Sequence, residues 1–178
     1  MASSQDTFII KNNFETHCTS NTMWDTDQAV LQFVAGTYDS HNLYITGADL
    51  GPTPSGYDNN YAWGTFLLGE TDEYGNIVPG TEQEVHLYDG NDTAGGALYV
   101  GEIQGLLFGS PLITNIYGNG LNIYYDPTLP GNAYLGGLTY DLQDGGQLMP
   151  TPVPASVLLL GSGLLGLGLL CRWRRRLS

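Results

Sequence analysis

The sequence predicts an all-β fold, an antiparallel β-sandwich of jelly-roll character, with one C-terminal transmembrane helix. Three observations carry that expectation: short apolar or alternating runs, turn chemistry between them every eight to twelve residues or so, and an uncharged stretch near the C-terminus. Candidate strands cover 8–14, 30–38, 42–45, 61–68, 84–88, 97–103, 106–108, 113–117, 121–125 and 134–141. Between them stand Gly51-Pro52, Ser55-Gly56, Tyr74-Gly75-Asn76, Pro79-Gly80, Asp89-Gly90, Gly118-Asn119-Gly120, Pro130-Gly131 and Asp144-Gly145-Gly146, where glycine and asparagine supply positive φ. In Glu84-Val85-His86-Leu87-Tyr88, Val85 and Leu87 share one face while His86 and Tyr88 share the other, as a sheet with one wet side requires. Leu121 and Ile123 likewise point together. Asp25-Thr26-Asp27-Gln28 offers a helix start, but 29–34 is too short and too β-branched to sustain a helix. Residues 1–143 are thus expected to form one acidic β domain with enough chain for a core, and 144–152 a flexible Gly/Pro stalk.

From Val153 to Cys171, nineteen residues carry no charge, and Arg172, Arg174, Arg175 and Arg176 follow at once. At ~1.5 Å per residue the run covers roughly 28 Å, close to the hydrocarbon thickness of a bilayer, and no polar stripe marks it as a soluble helix. The arginines stay on the cytoplasmic side, which places the N-terminal domain across the membrane.

Pro152-Val153-Pro154-Ala155, the Leu/Gly-rich span and the basic cluster over 172–176 resemble, in that order, the PEP-CTERM sorting tail of Gram-negative bacteria. The resemblance implies an inner-membrane precursor with its domain in the periplasm. It also implies an exosortase as partner, a cut near Pro152, Val153 and Pro154, and transfer to the surface or matrix of cells that make exopolysaccharide. Val153 stands where the family commonly has glutamate, and Cys171 and Trp173 depart from its usual ending. Residues 62–109 resemble, more loosely, ectodomains found on such chains: a strand over 64–68, a hairpin turn over 72–81 and a strand over 97–103. That likeness implies a β-sandwich and carries over no catalytic residue. Residues 1–13 lack the basic stretch and apolar core of a signal peptide, so the export leader is expected upstream of Met1 or in a longer precursor.

All eighteen acidic residues precede the tail, where Lys11 is the single base, a net of −17; the four arginines bring the chain to −13. Such a field excludes nucleic acid and anionic lipid surfaces as partners and favours divalent cations, cationic partners or plain solubility. Cys18 and Cys171 cannot meet while the tail is inserted, so no internal disulfide is expected and Cys18 reads as a buried or unmodified thiol.

His17, His41 and His86 stand at no spacing that puts two on one strand or helix face, which argues against a histidine metal site. Asp39-Ser40-His41 holds the residue types of a hydrolytic triad, but neighbours on a strand point to opposite faces and no nucleophile elbow surrounds them. No cofactor is expected, calcium being the one weighed. Asp89, Asn91 and Asp92 gather hard oxygen donors, as do Asp25-Thr26-Asp27 and Asp58-Asn59-Asn60, yet counting from Asp89 the sixth and twelfth positions are Ala94 and Val100, where an EF-hand needs glycine and glutamate. The competing reading makes them turn formers bonded to their own backbone. Twelve tyrosines, all before the tail, offer a platform for sugar rings, although strand tyrosines also serve as half-buried sheet residues. The leading expectation is a non-enzymatic exported surface or matrix protein. A calcium-assisted carbohydrate-binding module is the alternative, and a hydrolase, recognisable by a cleft with converging acids, comes third.

Overall fold

The computed structural model describes residues 6–16, 24–38, 40–91 and 95–152. It is a β protein: β1 (Thr7–Ile10), β2 (Val30–Phe33), β3 (Ser40–Ile45), β4 (Trp63–Leu68), β5 (Glu84–Asp89), β6 (Ala97–Gln104), β7 (Leu112–Tyr117), β8 (Asn122–Tyr125), β9 (Tyr140–Gln143) and β10 (Gln147–Pro150). Helix among the described residues is confined to two 3-10 segments, Pro54–Gly56 and Pro130–Leu135. The β-branched run near Val30 is a strand, as its sequence favours. The expected strand at 106–108 is absent, and the one at 134–141 shortens to β9 because Pro130 and the left-handed Gly136 set a 3-10 turn there first.

Strand pairing overturns the antiparallel jelly-roll expectation. β1, β2, β4, β6, β8 and β10 lie side by side in one stack, and β3, β5, β7 and β9 in another. Every pair within a stack is parallel; among the described strands the one antiparallel pair, β9 with β10, joins the two. The chain passes back and forth between the stacks and lays a strand on each, a flattened parallel solenoid whose neighbouring coils make the contacts. Side chains in equivalent positions pile up along it, as in Thr7, Val30, Thr65 and Glu102, or Leu98, Ile123 and Leu148.

One apolar core runs between the stacks. Leu31, Phe33, Phe66, Leu68, Ile103 and Ile123 from one side meet Leu43, Val85, Leu87, Ile116 and Leu142 from the other, and all of them are buried. Fully burying each such side chain contributes about 1.5–3 kcal/mol relative to exposure, so this interior is the main stabilising element. His41 joins it as a polar guest: its ring packs 5.1 Å from that of Phe33, and Nδ1 donates to the Asn12 carbonyl at 2.6 Å. Gln83 Oε1 lies 3.2 Å from its Nε2, so both ring nitrogens are engaged inside the protein.

The expected stalk is instead part of the fold. Asp144, Gly145 and Gly146 all take positive φ and turn the chain back, β10 inserts between β8 and β9, and Thr151 is buried with its N–H donating to Tyr125 O at 2.9 Å. Gly145 and Gly146 mark a tight turn here, a reading equally available to the same residue types. No helix among the described residues is long and apolar enough to cross a membrane, and the span expected over 153–171 lies outside them.

Candidate functional site

The outward side of the β3–β5–β7–β9 stack carries aligned aromatic and polar side chains. Because parallel strands repeat in register, Asn42, His86, Tyr117 and Gln143 follow one another across the stack, with Ser40 beside Glu84 and Tyr44 beside Tyr88. The His86 and Tyr117 rings stack at 4.2 Å with an interplanar angle of 5°, and Tyr44 and Tyr88 at 5.4 Å and 26°. Glu84, two residues from His86 and hence on the same face, holds its ring nitrogen at 2.9 Å. Tyr88 is 37% exposed and the Glu84 side chain 39%. Flat rings held by their neighbours, with carboxylate and amide groups beside them, suit the apolar faces and hydroxyls of sugars.

A second feature is a pocket of about 180 Å³ at the start of the other stack, lined by Trp24, Asp25, Asp27, Tyr57, Asp58 and Tyr61 among others. The segments leading into β2 and β4 are stacked as successive coils: Gly64 N donates to Thr26 O at 3.0 Å and Thr26 Oγ1 to Ala62 O at 2.7 Å. That stacking carries Asp25-Thr26-Asp27 next to Asp58-Asn59-Asn60. Burial pushes the Asp27 carboxyl above its ordinary range, and a hydrogen bond with Asp25 and the charges of Asp25 and Asp58 act in the same direction. Asn60 is already occupied in holding the loop, its amide exchanging two 2.9 Å bonds with Ala48.

No family model, curated protein or solved structure matches the chain.

The residues weighed for calcium separate. Asp89 accepts from Asn91 N at 3.2 Å through Oδ1 and from Gly95 N at 3.2 Å through Oδ2, while the Asn91 amide donates to Gly47 O. These are the bonds of a turn former, and Asp92 lies outside the described residues. Among the described residues no group of three or more His, Cys, Asp or Glu is arranged to hold a metal ion. Pro152 is the last described residue, just after β10; Val153, Pro154, Arg172, Arg174, Arg175 and Arg176 lie outside the described residues, as do His17, Cys18 and Asp39. His41 is interior while Ser40 faces outward, so the two diverge as strand neighbours must. What the sequence reading missed is the meeting of its two oxygen-rich segments. The available signal was that each directly precedes a strand of one stack.

Proposed function

We propose that the protein is an exported, non-enzymatic surface or matrix component, delivered through its tail by an exosortase, that holds exopolysaccharide on the outward side of β3, β5 and β7. The observation that carries the binding half is the solvent-facing ladder of His86 on Tyr117 and Tyr44 on Tyr88, four rings fixed by strand register. The Asp89 carboxylate is used within its own turn, so this reading relies on the rings and needs no calcium. The order of tail features carries the export half.

Two measurements test it. Fractionating cells with and without exosortase, the domain is expected to leave the inner membrane only when the enzyme is present; a full-length product retained there in both strains ends the sorting claim. Calorimetry of residues 1–152, which include every strand described, is expected to show binding of the cell's own polysaccharide without calcium and a loss of about tenfold on Tyr88→Ala. Affinity that appears only with calcium would put the calcium-assisted module ahead of this reading.

A hydrolase is the second reading, favoured by the convergence of Asp25, Asp27 and Asp58 in one pocket and the upward push on Asp27. Reducing ends released from the polysaccharide by the intact chain, and abolished by Asp27→Asn, are its signature. Their absence from the intact chain removes it.

A further inference from the structure

A third surface lies along the edge where the chain crosses from the first stack to the second. An open groove of about 370 Å³ is lined there by Asn76, Ile77, Gln104, Leu106, Phe108 and Tyr134. Three separate connections supply it: the loop after β4, the one after β6, and the 3-10 segment after β8. Its two rings are fixed in place. The Tyr134 hydroxyl donates to Ile103 O at 2.8 Å while the residue stays 48% exposed, so the phenol end is anchored and the ring forms a wall. Burial pushes that phenol well above its usual range, in keeping with an anchor that stays protonated. Phe108, 46% exposed, stands edge-on to Tyr134 at 6.2 Å and 82° and to Tyr140 at 5.3 Å and 66°. Asn76 is held by its amide to the Asp72 carboxylate, and that loop is fixed further by Asn76 N and Tyr74 N donating to Asp72 at 2.9 Å each.

We infer that this groove binds a short stretch of neutral carbohydrate, with a pyranose face against the Phe108 and Tyr134 rings and its hydroxyls toward the Asn76 and Gln104 amides. Charge selects the class. The domain has Lys11 as its single base against eighteen acids, so an anionic sugar would meet repulsion without a counter-charge. No carboxylate lines the groove, which argues against a hard cation. The volume sits at the low end of the ~300–1,000 Å³ range of small-ligand sites, which fits a chain end or a branch rather than a long run of polymer. Walls already held by a hydrogen bond and ring contacts have less freedom to lose when a ligand arrives. The groove shares no lining residue with the β3–β5–β7 side.

Neutral di- and trisaccharides of the glucose, galactose and mannose series, titrated into the full chain in detergent by ligand-observed NMR and calorimetry, provide the test. At least one is expected to bind, with affinity falling about tenfold or more in Phe108→Ala and in Phe108→Leu, which keeps apolar volume but removes the ring. Tyr88→Ala is expected to leave that affinity unchanged while it lowers polymer binding. No binding of any short sugar overturns the proposal, as does equal affinity in Phe108→Leu and the unmodified chain. A chain that binds short sugars through Phe108 yet ignores polymer loses the ladder on β3, β5 and β7 and keeps this groove.

Discussion

The two outward sides of the solenoid carry the same device in different surroundings. On one, Tyr99 and Tyr124 stack at 4.8 Å and 26°; on the other, Tyr44 and Tyr88 stack at 5.4 Å and 26°. The first pair lies beneath the connection between β3 and β4, which crosses it with Leu50, Gly51 and Tyr57 and leaves both rings buried. Gly56 is required at that crossing, since any Cβ there would run into the Tyr99 ring. The second pair stays accessible. A ladder of tyrosines is thus what parallel register produces from repeated positions, and whether it serves stability or recognition depends on what covers it.

Several substitutions break that comparison or make it sharper. Tyr99→Ala is expected to cost about 3–5 kcal/mol by leaving a cavity under the connection, whereas Tyr88→Ala on the accessible side should stay within about 0.5 kcal/mol; urea midpoints measure both. Equal costs would mean that the two sides do not differ as described. Tyr99→Phe keeps the ring and removes the hydroxyl that donates to Gly51 O at 2.7 Å and accepts from Leu50 N at 2.9 Å. About 1–3 kcal/mol is expected, because both backbone groups lose their partner.

Alkali gives a third contrast. Burial pushes the phenols of Tyr99 and Tyr125 up to about 12, so the fold holds them protonated where the unfolded chain, with phenols near 10, begins to ionise. Their contribution is complete below about pH 10 and is lost as pH rises from there through about 12. Phenolate absorbance that lags in the folded chain, together with a urea midpoint that falls over the same window, is the expected result; a midpoint flat from pH 10 to 12 refutes it. The smallest effect is expected at Asp27, raised by burial and by Asp25 and Asp58. Its stabilising contribution is complete only below the unfolded value near 4 and is lost as pH rises through the folded one, so ionising the carboxylate is a mild burden on the fold. Asp27→Asn should therefore raise stability at neutral pH by about 0.5 kcal/mol or less after solvent screening, and change it little at pH 3.

Much of the secondary structure was legible and the topology was not. Val85 and Leu87 inward with His86 and Tyr88 outward is what the alternation of 84–88 requires, and the strands at 97–104 and 112–117 follow from similar runs. The inference from alternation to antiparallel pairing failed for a physical reason. Alternation reports one dry face and one wet face, which usually means an antiparallel sheet because parallel sheets are buried on both sides by helices. A solenoid gives parallel strands the same two environments without any helix. Regular coils would have betrayed it, but 23 residues separate Thr7 from Val30, 35 separate Val30 from Thr65, and 25 separate Leu98 from Ile123, so no period stands out. The acidic pocket was half legible: both segments were oxygen-rich in sequence, and only coil-on-coil stacking through Thr26 and Ala62 brings them together. The crossing-edge groove was not legible, since its walls come from three connections whose lengths say nothing about where they meet.

β10 has a mechanical consequence. It is the last strand before Pro152, it is flanked on both sides by β8 and β9, and Thr151 fastens its exit to Tyr125 through both N–H and hydroxyl. Any tension drawn through the tail enters the domain there. Pulled along its own direction, a strand with two neighbours must break its hydrogen bonds together in shear, whereas an edge strand unzips them one after another. A load applied beyond Pro152 would thus meet a strong point of the fold, and releasing it there would remove none of the described strands.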